Sequence, residues 1–85
     1  MEGYRVAILG IIIEEMESVA EVNAVLHEFN EYIIGRMGIP YKTRGINVIS
    51  IAVDAPCDAI NTMAGKLGKL SGVSAKAVYS KLSHE

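Results

Sequence analysis

The sequence predicts an α+β fold: a ferredoxin-like βαββαβ sandwich, with a four-stranded antiparallel sheet and two helices on one face. Three observations predict it. Two long runs, YRVAILGIII and INVISIAV, are β-branched and apolar at both parities, as strands buried on both faces are. Each run is followed by a stretch with a single apolar stripe at helical spacing. The stripes also repeat, because adding 41 to Val19, Val22, Leu26 and Phe29 gives Ile60, Met63, Leu67 and Leu70.

The elements follow in order. Tyr4 to Ile13 reads as the first strand, ended by Glu14 and Glu15. Met16 to Asn30 reads as the first helix, with Glu17 and Glu21 supplying negative charge where the helix dipole favours it. Glu31 to Ile39 reads as the second strand, and GIPYKTRG as the turn after it. Ile46 to Val53 is the third strand. Asp54, Ala55 and Pro56 then offer an acidic cap and a first-turn proline for the second helix. Gly72 stands where a left-handed helix cap is expected, and Val73 to Tyr79 closes the sheet. On the helix flanks, Ala20, Ala24 and His27 are expected to meet Asn61, Ala64, Gly65 and Gly68. The two glycines are read as packing positions, since glycine inside a helix costs about 1 kcal/mol against alanine.

Length and composition bound the function. Residues 1–85 read as one domain, and 51% hydrophobic residues with a mean hydropathy of +0.29 is rich for so small a chain. A membrane does not explain the excess, because the longest apolar run, Val6 to Ile13, is far short of the roughly 20 residues a spanning helix needs. That run also lacks a cleavage site of small residues, so the expected location is the cytoplasm. The single cysteine, Cys57, allows no internal disulfide and agrees with a reducing compartment. Net charge is −2 and the lysines and arginines are dispersed, which argues against direct nucleic-acid binding.

Two helices can cover only one face of the sheet. Yet Val6, Ile8, Gly10 and Ile12 are as apolar as the alternate residues of their strand, and Val48, Ser50 and Ala52 leave the third strand with little polar character. A face exposed to water should alternate. These seven residues are therefore the expected interface of a homo-oligomer, a dimer or tetramer joined through its sheets.

Candidate chemistry is sparse. GKLGKLSG at residues 65–72 lacks the spacing of a phosphate-binding loop and lies at a helix C-terminus, which repels phosphate. His27, Cys57 and His84 fall short of a metal-ligand set, with no paired Cys or His motif. No metal site, cofactor or catalytic residue is expected. Cys57 as a thiol nucleophile is opposed by Asp54 and Asp58, and His27 is expected to hydrogen-bond near Asn61. The metal-sensor reading through His27 and Cys57, and less so the enzyme reading through Cys57, stand as alternatives.

Two segments, VNAVLHEFNEYIIGRMGIPY and DAINTMAGKLGKLSGVSAKAVYSK, resemble the small stand-alone family named as iron-only hydrogenase system regulators. The most specific parts are Arg36-Met37-Gly38-Ile39-Pro40, Gly65-Lys66-Leu67-Gly68 and Ser71-Gly72-Val73. The family is similar to ACT-like domains and to the effector domain of the nickel-responsive repressor. The resemblance implies subunits joined through their sheets and a non-enzymatic regulatory role, with a small effector or a protein partner as ligand. Residues 13–18, after the first strand, lack the glycine that amino-acid-binding ACT domains carry there. The ligand-binding candidates are Glu14, Glu15 and Met16 in that loop, with His27, Cys57 and Asn61.

Overall fold

A computed structural model describes residues 3–81. Strand β1 is Tyr4–Ile13, helix α1 Val19–Glu28, β2 Ile33–Tyr41, β3 Ile46–Pro56, α2 Cys57–Gly68 and β4 Val73–Tyr79. The strands form one sheet in the order β2-β3-β1-β4, antiparallel at every pairing. This is the expected α+β ferredoxin-like arrangement.

The core lies between the sheet and the helices. Leu9, Ile11 and Ile13 of β1 and Ile51 and Val53 of β3 are fully buried under Val22 and Leu26 of α1 and Ile60, Met63 and Leu67 of α2. Each such side chain contributes about 1.5–3 kcal/mol by leaving water. The predicted stripe is the buried stripe, except that Val19 and Leu70 are only partly covered.

Several boundaries differ from expectation, each for a physical reason. α1 is shorter, because 3-10 turns at Met16–Ser18 and Asn30–Tyr32 flank it. The Tyr32 amide donates to the Phe29 carbonyl, which holds the chain in helical turns beyond Asn30 and delays β2. β2 then runs through Pro40 to Tyr41, because an edge strand tolerates a residue without an amide hydrogen. β3 continues through Asp54, Ala55 and Pro56, which pair with Val6, Arg5 and Tyr4. Asp54 is therefore a strand residue rather than a helix cap, and α2 starts at Cys57 with no side-chain cap bond.

The glycines divide sharply. Gly65 and Gly68 are exposed, and a Cβ on either would meet nothing within 4 Å, so they are not packing positions. Ala20, Ala24, His27 and Asn61 are exposed as well. Besides the apolar stripes, the helices are joined by Lys66, whose Nζ lies 2.7 Å from Glu28 Oε2 and 5.7 Å from the centre of the Phe29 ring. Gly72 is required twice over. Its φ is 68°, and a Cβ there would lie 2.6 Å from Glu15 Cγ.

Candidate functional site

Three regions hold the predicted site residues. The first is the open face of the sheet. Register places Lys76, Gly10, Ser50 and Met37 in one row across the four strands. The next row is Val78, Ile8, Ala52 and Gly35, and beyond it Val6 stands opposite Asp54. On the other side Ser74, Ile12, Val48 and Ile39 form a fourth row. All seven predicted interface residues thus share this face. Ile8, Ile12, Met37, Ile39, Tyr41 and Val78 are each 42–70% exposed, so the face is an uncovered apolar surface. A depression of about 310 Å³ lies over Gly10, bounded by Ile12, Val48, Ser50, Ser74 and Lys76. It exists because Gly10 has no side chain and a Cβ there would meet nothing within 4 Å. The face also carries a buried oxygen, Oδ1 of Asp54, with no hydrogen-bond partner among the described residues.

The second region is the end of the molecule where the β1–α1 loop meets the α2–β4 turn. The Glu14 amide donates to the Gly72 carbonyl at 2.7 Å, and the buried Ser18 hydroxyl donates to the Ser71 carbonyl at 2.6 Å. The Ser71 hydroxyl in turn donates to Glu15 Oε2. Glu15 is thereby committed to holding a turn. Met16 is exposed and borders a cavity of about 230 Å³ with Pro40, Lys42, Gly45, Ile46 and Asn47.

The third region is the opposite end. Cys57 opens α2, Asn61 lies one turn later, and His27 is in the last turn of α1. Asn61 Oδ1 accepts from the Tyr79 hydroxyl at 2.8 Å, and His27 is not its partner. The Tyr79 ring carries the Arg5 guanidinium at 5.8 Å, and Tyr4 and Tyr32 meet edge to face at 6.2 Å. The Tyr32 hydroxyl is held above its ordinary pKa, first by desolvation and then by the Glu31 carboxylate and Tyr4. The structure therefore brings Glu14, Glu15 and Met16 together and places His27, Cys57 and Asn61 at the far end. Among the described residues no three His, Cys, Asp or Glu side chains are placed to hold a metal ion, and His84 lies outside them.

Sequence reasoning missed one groove. Val19, Asn23, Arg36, Gly38, Pro40 and Asn47 border a space of about 210 Å³ between α1 and β2, where Arg36 Nη2 donates to Asn23 Oδ1 at 3.4 Å. The signal was present in Arg36-Met37-Gly38-Ile39-Pro40. Strand alternation puts Arg36, Gly38 and Pro40 on the helix side and Met37 and Ile39 on the open face.

Fold and site define a class: a small ferredoxin-like module with an uncovered sheet face. Among the described residues no helix is long and apolar enough to cross a membrane. Residues 5–77 match the TM1266-like family, described as "Iron-only hydrogenase system regulator, putative", and the chain belongs to that family. It is similar to the solved structure of the uncharacterized protein TM1266 from Thermotoga maritima. Identity is 34% and the TM-score 0.88, over 92% of this chain and 99% of that one. A formyltetrahydrofolate deformylase from Pseudomonas putida KT2440 shares the fold at 15% identity and a TM-score of 0.64, over 86% of this chain and 28% of that one. A search of the curated proteins finds no match.

Proposed function

We propose that residues 1–85 form a single, non-enzymatic regulatory domain of an iron-only hydrogenase system. It works in the cytoplasm, assembles as a homo-oligomer through the open face of its sheet, and binds a small effector or a regulatory protein partner. The family description supports the regulatory role. The observation that carries the assembly is the row-by-row apolar character of the open face, with Ile8, Ile12, Met37 and Ile39 exposed beside Val6, Val48 and Ala52. A chain this small gains from covering such a surface, because burial of apolar area contributes about 25 cal/mol per Å². Any role in transcription runs through a partner, since the charge is dispersed.

For the effector, the loop at Glu14, Glu15 and Met16 is the first candidate region, because a cavity opens beside Met16. His27, Cys57 and Asn61 form a second, separate one. Size-exclusion chromatography with light scattering tests the assembly; a clean monomer at micromolar concentration overturns it. Native mass spectrometry of protein purified from its own host reads subunit number and retained ligand together. Cys57→Ser leaves oligomerisation and folding unchanged on this reading, whereas a metal sensor or a thiol enzyme loses metal or activity.

A further inference from the structure

We infer that the open face takes a second copy of this chain in one particular register, with Lys76 of each copy paired to Asp54 of the other and Ile8 and Met37 on the twofold axis. The inference rests on the sheet-face assembly proposed above and adds its geometry. Among the described strand residues of that face there is one cation, Lys76, and one carboxylate, Asp54. Asp54 is half-buried, and its Oδ1 has no hydrogen-bond partner among the described residues. Lys76 makes no ion pair among the described residues. A lone carboxylate on an apolar face calls for a cation from whatever covers the face.

A twofold contact is isologous: if Lys76 meets Asp54 of the second copy, the reverse pair forms too. For two sheets face to face, the axis lies between them and parallel to both. It must then cross the Lys76–Asp54 line at its midpoint and at a right angle. Lys76 is beside Gly10 on β4, and Asp54 is beside Val6 on β3. With strands about 4.8 Å apart and residues about 3.3 Å apart along them, the two side chains start roughly 16 Å from each other. The midpoint falls on Ile8 of the intervening strand β1. The perpendicular through Ile8 crosses β2 at Met37, which stands one row along and two strands over. Ile8 and Met37 are 51% and 53% exposed, and residues on an axis pack against their own copies. One charge pair thus selects an axis that passes through two uncovered apolar side chains.

The experiment uses the full chain in a Cys57→Ser background, with one new cysteine introduced at a time. Ile8→Cys and Met37→Cys are each expected to be joined to their own copy by a short bismaleimide, in near-complete yield. Ile12→Cys is not, because its copies stand roughly 20 Å apart in this register. Separately, Lys76→Asp and Asp54→Lys are each expected to raise the dimer Kd at least about thirtyfold, and the double reversal to return it to within about threefold of the parent. Circular dichroism on each variant separates lost assembly from lost folding, and the cross-links need no charge change. Linking at Ile12 in preference to Ile8, or a folded double reversal no better than the single ones, overturns the register and leaves sheet-face assembly standing. A monomeric parent overturns both.

Discussion

The two faces of the sheet are built from the same strands and are nearly equally apolar, yet they have opposite fates. Ala7, Leu9, Ile11 and Ile13 are buried by α1 and α2; Ile8 and Ile12, one residue away, are open. The difference does not lie in the strand residues, since isoleucine occupies both faces. It lies in the supply of covering layers, because the described residues make two α-helices and both cross over the same side. An apolar face therefore says that something covers it, and topology says whether the chain itself does.

Substitutions on the two faces can break that comparison. The largest contrast pairs Ile11→Asp with Ile8→Asp. The first puts an uncompensated carboxyl into the core and is expected to cost more than about 4 kcal/mol and to unfold the domain in circular dichroism. The second is expected to keep the fold and abolish assembly in light scattering. Equal unfolding by both would erase the distinction between the faces. Next, Leu67→Ala in the covering layer should cost about 2–5 kcal/mol in a denaturant titration, because Leu67 is fully buried against the sheet. Gly72→Ala, where the covering layer turns back into β4, should cost about 1–2 kcal/mol from its left-handed backbone, plus whatever Glu15 loses in moving aside. Gly65→Ala sharpens the comparison from the other side. It sits in an open, exposed helix position and should stabilise by about 0.5–1 kcal/mol with no change in assembly.

The smallest effect concerns pH. The Tyr32 hydroxyl keeps its proton to higher pH in the folded chain than when unfolded. Above the ordinary value of 10.0 the native state binds more protons, so stability falls as pH rises through that range. Tyr32→Phe should flatten this alkaline slope in thermal melts and leave neutral-pH stability nearly unchanged.

The fold was legible because its signals are local. β1 and β4 lie where β-branched runs and Gly72 placed them, and the apolar stripes lie where the helical period placed them. What failed was local evidence with a tertiary competitor. Asp54-Ala55-Pro56 looks like a helix start, but pairing with β1 and burial of Ala55 keep it extended. Gly65 and Gly68 looked like packing glycines, but the helices meet through their stripes and through Lys66. For the site, the open face could be inferred, since parity counts apolar residues on both sides. The Arg36 groove is legible only in part: alternation puts Arg36, Gly38 and Pro40 on the helix side, but no period in the sequence shows that the edge strand β2 runs past the cover of α1. The bonds from Ser18 to Ser71 and from Ser71 to Glu15 join residues more than 50 positions apart. No reading of neighbours along the chain finds such a pair.

The strand order has a further consequence for how the chain reaches its native state. β1 pairs with β3 and β4, and β2 pairs only with β3. The first β-α-β repeat therefore contains no strand pairing of its own, and neither half can close before the other has been made. Nascent chain ending at Tyr41 holds one helix and two unpaired strands; β2 and β3 then close a local hairpin over residues 42–45, but β1 joins the sheet only by closing a loop of dozens of residues. Folding is expected to be a single, late and cooperative event, slower than for helical chains of this size. A refolding trace with one exponential, and no stable product from either half alone, would follow from that wiring.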